Sequence, residues 1–244
     1  MRDIEKYAKE YSEEGFESLQ EKYRRRKLLE ILKEFKPKTI LDIGCGMKPL
    51  FTEIENLSFQ KYVCIEPSTE LFNNAKKESE KILNVKCIND FYPSKNLNNE
   101  KFDFIICSSL LHEIENQIDF VKAIKENCKK DTFVYFCVPN ANSFHRILAN
   151  RMGLIKDVLQ ITERNVILQQ NNVFDKKLLT GLLEKCGFKI KETGTFFIKP
   201  FTHGQMYKAL TEKIIDEKVI EGLYNCSKDF PENGSELYVL AMVK

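Results

Sequence analysis

The chain has 244 residues, with 38 Lys and Arg against 36 Asp and Glu and a formal charge of +2. That balance carries no polyanion-binding signature, so nucleic acid is not the default partner, and no run approaches the ~20 apolar residues of a membrane span. The length suits one large α/β domain, or a core domain with a substantial elaboration.

Residues 2 to 35 are highly charged but place Phe16, Leu19, Tyr23, Leu28, Leu29, Ile31, Leu32 and Phe35 at helical spacing. This predicts one or two helices packed across a sheet edge, an extension covering residues 1–36. Its opening, Met1 to Tyr11, alternates charges without an apolar core. It is expected to be neither signal peptide nor anchor, which implies a cytoplasmic protein. The eight cysteines are scattered singly, several inside apolar strands, and no C-x-x-C pair occurs. They read as reduced, buried thiols.

From Pro37 the pattern alternates strand and helix: strand 39–43, helix 49–56, strand 61–66, helix 68–82, strand 85–89, strand 103–107, helix 117–129 and strand 132–138. Such alternation predicts a doubly wound, mostly parallel sheet with helices on both faces. The stretch Thr39-Ile40-Leu41-Asp42-Ile43-Gly44-Cys45-Gly46-Met47-Lys48-Pro49 runs an apolar strand into two glycines and a turn. Gly44 and Gly46 permit a sharp turn and close approach of a ligand to the main chain. Pro49 suits the start of the next helix. A dinucleotide fingerprint needs a third glycine where Pro49 stands, which disfavours a NAD-linked oxidoreductase.

The D-x-G-x-G arrangement resembles the first motif of the class I S-adenosylmethionine-dependent methyltransferases. Two further strand ends fit that resemblance. Tyr62-Val63-Cys64-Ile65 ends in Glu66-Pro67, about twenty residues after the glycines, and Val85-Lys86-Cys87-Ile88 runs into Asn89-Asp90-Phe91. Ser108-Ser109-Leu110-Leu111-His112-Glu113-Ile114 resembles the fourth motif of that family. The resemblance implies a Rossmann-like, seven-stranded sheet whose last strand is antiparallel. It also implies S-adenosyl-L-methionine as cofactor, contacted by Asp42, Gly44, Cys45, Gly46, Glu66, Pro67, Asp90, Phe91 and Ser108. Charge agrees independently: acids at adjacent strand ends attract a cationic sulfonium and repel a diphosphate. The Arg24-Arg25-Arg26 run is either a solvated helix face or a reach toward the cofactor's carboxylate. Tyr7, Tyr11 and Tyr23 would belong to a lid.

After strand 132–138 a helix at 143–151 and a polar segment to about Phe174 fit no core strand. An insertion there lies above the carboxyl ends of the strands and is expected to cap the acceptor site. Helix 175–185, strand 188–193, helices covering 203–225 and a strand Glu236 to Val243 complete the Rossmann-like domain 37–244, with 143–174 as its cap. His112, His145 and His203 are the chain's three histidines and the candidate catalytic residues. Arg146, Arg164, Lys199 and Gln205 are the candidate acceptor contacts, planar guanidinium groups being suited to phosphate or carboxylate. No two histidines have metal-ligand spacing, so no metal is expected, although His112, Glu113, His145 and His203 would supply ligands if they converged.

Residues 143–149 and 197–206 weakly resemble tracts of small methyltransferases from bacterial surface-polysaccharide and capsule clusters. That resemblance implies transfer to an oxygen of a sugar, a nucleotide-linked precursor or a phosphate-derived group such as phosphoramidate. A non-catalytic S-adenosylmethionine-binding protein is the remaining alternative, because a cofactor crevice does not prove turnover.

Overall fold

The computed structural model describes residues 15–54 and 57–244, together with Ile4. The predicted tyrosines Tyr7 and Tyr11 lie outside these residues, as do the last two positions of the predicted helix 49–56. Seven strands form one sheet: β1 (Thr39–Ile43), β2 (Lys61–Ile65), β3 (Val85–Ile88), β4 (Phe102–Ser108), β5 (Cys128–Pro139), β6 (Phe188–Phe196) and β7 (Glu236–Val243). Their order is β3-β2-β1-β4-β5-β7-β6, with β7 antiparallel to both neighbours and the other pairs parallel. The order reverses between β1 and β4, so the glycine turn after β1 opens at a topological switch point, where α/β sheets place ligands.

Alternate strand residues face opposite sides, and each side buries its own apolar layer. Leu41, Val63, Ile105, Phe136 and Val239 pack with Val121 and Ile124 of α3 (Gln117–Glu126) and Leu179 and Leu183 of α6 (Lys176–Lys185). Ile40, Tyr62, Phe104, Tyr135 and Leu240 face the other way, against Tyr23, Leu28 and Leu32 of α1 (Phe16–Phe35) and Ile220 and Tyr224 of α8 (Glu217–Asn225). Each fully buried side chain of this size contributes roughly 1.5–3 kcal/mol relative to exposure. The N-terminal helix therefore covers a face of the sheet and not its edge. The physical reason is that Phe104, Tyr135 and Leu240 of the central strands project to that side and need apolar cover.

Among the described residues between β1 and β2, a short 3₁₀ turn stands where the helix is expected. Pro49 is extended (φ −60°, ψ 134°) and precedes a short 3₁₀ turn, Leu50–Glu53. Thr52 donates both its backbone N–H and its hydroxyl to the Pro49 carbonyl, a local bond that competes with helix propagation. Burial of Leu50, Phe51 and Ile54 is achieved by the tight turns alone. Ser68 does cap the following helix, α2 (Thr69–Ser79), accepting from Leu71 N at 3.4 Å.

The cap comprises α4 (Phe144–Arg151), a loop, and the single-turn α5 (Glu163–Ile167). Its return is fastened to the segment after β4. Asn171 and Asn172 donate their backbone N–H groups to the His112 carbonyl, and their side-chain amides to the carbonyls of Glu113 and Ile114. The chain then continues through α6 and β6 to α7 (His203–Thr211) and α8. Among the described residues no helix is long and apolar enough to cross a membrane.

Candidate active site: two adjoining cavities

A cavity of about 390 Å³ opens at the carboxyl ends of β1, β2 and β4. Gly44 (φ 77°) and Gly46 (φ 67°) occupy the left-handed region, which disfavours any side chain. Gly44 N donates to Ile65 O at 2.8 Å, tying the turn to β2. A Cβ at Gly46 would meet nothing within 4 Å, so the turn presents bare backbone to open space. The Glu66 carboxylate accepts from Gly46 N at 3.1 Å and Ser68 N at 3.0 Å. One acid thus joins the glycine turn to the end of β2.

Asp42 is buried and accepts the Tyr62 hydroxyl at 2.6 Å. Burial pushes its carboxyl up to about 6, despite the tyrosine bond and the charge of Arg25. Asp42, Gly44, Cys45, Gly46, Glu66, Pro67, Phe91 and Ser108 all line this cavity. Asp90 does not. Its carboxylate accepts from Phe91 N, Ser94 Oγ and Asn96 Nδ2 and so organises the loop after β3. A carboxylate beside three local donors satisfies them first.

A second cavity of about 600 Å³ lies under the cap. His112, His145, Arg146, Arg164, Lys199 and His203, which lie far apart in the sequence, all line it. Gln205 does not line it, because its side chain accepts from Thr202 N and Oγ1 in a capping box that starts α7. Arg146 is held by the carbonyls of Val158 (2.8 Å) and Gln160 (2.6 Å), which fixes the cap loop against α4. Arg24, Ser109 and Glu113 line both cavities, so these three residues form the shared wall.

The wall stands on a buried polar network that the sequence does not announce. Arg24 is buried and donates to Glu236 at 2.9 Å and to Glu17 at 3.1 Å. Gln20 Nε2 also donates to Glu236, which is fully buried at the start of β7. Lys199, 2% exposed, bonds Gln20 Oε1 at 3.3 Å and His203 Nδ1 at 3.0 Å. His203 Nε2 lies 2.8 Å from a Glu17 oxygen. Burial would raise the Glu17 carboxyl, but the His203 bond and the charge of Arg24 hold it well below the usual range.

The cations in this cavity crowd one another. Burial pushes Lys199 down to about 8, Glu17 and Glu236 resisting and Arg164 and Arg24 reinforcing the shift. Burial pushes His145 down to about 2, with Lys199, His203 and Arg146 adding to the effect. Its ring Nδ1 is buried without a hydrogen-bond partner. His145 is therefore neutral at physiological pH and has little basicity for a proton-abstracting role. Among the described residues, no group of three or more His, Cys, Asp and Glu is placed to hold a metal ion.

Of the arginine run, Arg24 alone reaches the shared wall fully buried. Arg25 also lines the first cavity while pairing with Glu53, and Arg26 pairs with Glu221. Sequence reasoning missed Glu17, Gln20 and Glu236. The signals were available: Glu17, Gln20 and Arg24 recur at helical spacing within one apolar face, and Glu236 is the single acid of the strand E-L-Y-V-L-A-M-V.

A search of curated proteins finds no match. Among solved structures the chain is similar to an S-adenosylmethionine-dependent methyltransferase from Mesorhizobium loti, at 14% identity and TM-score 0.58, covering 87% of this chain and 96% of that one. It is similar to the plantazolicin methyltransferase BamL in complex with a triazolic desmethylPZN analog and SAH, at 18% identity and TM-score 0.58, covering 93% and 87%. It is also similar to the N-methyltransferase NodS from Bradyrhizobium japonicum WM9 in complex with S-adenosyl-L-homocysteine, at 11% identity and TM-score 0.55, covering 92% and 87%. At these identities the likeness is one of fold. Residues 16–193 match the family described as "Methyltransferase domain", and by that match the chain belongs to this methyltransferase family.

Proposed function

We propose that this methyltransferase transfers the methyl group of S-adenosyl-L-methionine to an oxygen of a small, phosphate-bearing, sugar-like molecule of the kind used to build bacterial surface polysaccharides. The cofactor is S-adenosyl-L-methionine. When bound, it supplies an electrophilic methyl group on a positively charged sulfur. The donor cavity suits it: bare backbone at Gly46, acids at the ends of β1 and β2 for the cationic and ribose portions, and Arg24 and Arg25 for its carboxylate. Asp42, Gly44, Cys45, Gly46, Glu66, Pro67, Phe91 and Ser108 are the contacts in this reading. Asp90 acts through the loop that carries Phe91.

The observation that carries the acceptor assignment is the set of cations in the second cavity that have no carboxylate within ion-pair distance among the described residues. Arg146, half-buried, and Arg164, exposed on the cap, are those cations. A phosphate would give both guanidinium groups a bidentate counterion. Ser235, buried with its hydroxyl unpartnered, and His145 Nδ1 supply further polar atoms on the same cavity. The test is calorimetry of inorganic phosphate titrated into the S-adenosylhomocysteine complex. Binding is expected, weakened about tenfold in Arg164→Ala by loss of a charged hydrogen bond. No heat beyond dilution in the wild type, or equal affinity in Arg164→Ala, contradicts the phosphate reading.

Asp42 makes a second outcome measurable. Its carboxyl, raised to about 6, is protonated below that pH and charged above it. Affinity for the ammonium-bearing S-adenosylhomocysteine is therefore expected to fall as pH drops through about 6, and Asp42→Asn should flatten that dependence. An identical pH profile in wild type and Asp42→Asn would place the titrating group elsewhere.

A further inference from the structure

We propose that Lys199 is the base that accepts the proton of the methyl-accepting hydroxyl, with Gln20 and His203 as positioning residues that hold its amine at the acceptor cavity and Glu17 as the residue that orients His203. The inference rests on the acceptor reading above and names the residue that the histidine candidates leave unsettled.

The geometry begins with the hydrogen-bond count at Nζ. Lys199 has two acceptors in place, Gln20 Oε1 at 3.3 Å and His203 Nδ1 at 3.0 Å. A neutral amine has two N–H donors and one lone pair, so both donors are used and the lone pair remains for the cavity that Lys199 lines. His203 fits the same arrangement. With Nδ1 accepting from Lys199, its Nε2 carries the proton and donates to Glu17 at 2.8 Å. This leaves His203 with no free nitrogen to act as the base itself. Phe16 packs edge-on against the His203 ring at 5.8 Å between centroids, which fixes the ring plane.

The position relative to the donor site follows from the same network. Gln20 donates to Glu236, Glu236 accepts from Arg24, and Arg24 lies in the wall shared by both cavities. Lys199 therefore lines the acceptor cavity linked to the shared wall through Gln20 and Glu236, while Arg146 and Arg164 line it from the cap helices. A phosphate held by the cap arginines would leave a hydroxyl of the same molecule for Lys199, which belongs to another element of the same lining. The charged and titratable groups facing Lys199 are Glu17 and Arg24 from α1, Glu236 from β7, Arg164 from α5, His145 from α4 and His203 from α7. Burial among them lowers Lys199 to about 8, so a substantial fraction is neutral near that pH.

In the step itself the hydroxyl oxygen forms a bond to the methyl carbon as the carbon–sulfur bond breaks, and the electron pair of that bond stays on sulfur. The hydroxyl proton passes to Nζ of Lys199, which becomes an ammonium and later releases the proton to solvent.

Two readouts test this. Carbon-13 lysine NMR of the S-adenosylhomocysteine complex should show one signal, missing in Lys199→Arg, that titrates near pH 8. Glu17→Gln should move that midpoint lower, because Glu17 favours the ammonium. With phosphorylated hexoses as acceptors, kcat should rise through the same midpoint and shift with it in Glu17→Gln. Lys199→Arg, which keeps the charge but cannot lose a proton, should lower kcat by about a hundredfold or more with KM little changed. A Lys199 signal titrating near 10.5, or one unmoved by Glu17→Gln, overturns the proposal. So does a Lys199→Arg enzyme that keeps kcat and raises KM, since Lys199 would then only hold an anion. Should wild type methylate no phosphorylated hexose, the acceptor reading fails, and the titration alone still decides for or against Lys199.

Discussion

Replacing Glu236 with alanine is expected to destabilise the protein by about 3–5 kcal/mol, the range for breaking a buried ion pair by removing one partner. Glu236 is fully buried and accepts from both Arg24 and Gln20. Its removal takes the buried partner from the Arg24 guanidinium, which also pairs with the partly exposed Glu17, and takes that acceptor from the Gln20 amide. Because Arg24 forms the wall between the cavities, loss of stability should be accompanied by loss of both donor and acceptor binding. Urea unfolding followed by circular dichroism measures the first effect, and calorimetry of the folded variant measures the second. A midpoint within experimental error of wild type would mean that Arg24 is compensated by other groups.

Glu66→Ala is expected to weaken binding of S-adenosylhomocysteine by about ten- to a hundredfold, from loss of about 1.5–3 kcal/mol of charged hydrogen bonding. Two effects act together. In this reading the carboxylate holds the ribose hydroxyls, and in the structure it also fixes the glycine turn through Gly46 N and the start of α2 through Ser68 N. Glu66→Gln separates them, because an amide oxygen still accepts one backbone bond while the charge is gone. A full loss in alanine with partial loss in glutamine is the expected order. Wild-type affinity in both variants would remove Glu66 from the donor site.

That Asp42, Gly44, Gly46 and Glu66 gather at one cavity is legible in the sequence because its requirements are local. Gly44 and Gly46 sit where the backbone needs positive φ, and Asp42 and Glu66 follow from the ends of two apolar strands. Asp90 shows the limit of that reasoning. Its place at a strand end matches the family pattern, yet Ser94 and Asn96, a few residues on, turn its carboxylate into its own loop. The seven strands and the antiparallel β7 followed from the family resemblance and stand as expected. Helix α1 was read as an edge element because amphipathic spacing says which residues are buried, not what they are buried against. Only the packed sheet shows that its polar positions, Glu17, Gln20 and Arg24, meet β7 and the tract after β6. The second cavity depends on such long-range contacts throughout. His145, Lys199 and His203 stand out in sequence as residue types in suggestive tracts, while the lowered proton affinity of His145 and Lys199 and the bond from His203 to Glu17 are set by burial and neighbours.

The proposed reaction is methyl transfer to an oxygen of a phosphate-bearing, sugar-like acceptor. Tritium transfer from methyl-labelled S-adenosylmethionine to matched pairs of hexoses and hexose phosphates tests it most directly. Transfer to a hexose phosphate is predicted, with the free hexose lower in kcat/KM by about ten- to a hundredfold, the worth of charged hydrogen bonds to the phosphate. Equal rates for both members of each pair, or label found on nitrogen of an amino sugar in preference to any hydroxyl, would contradict the account.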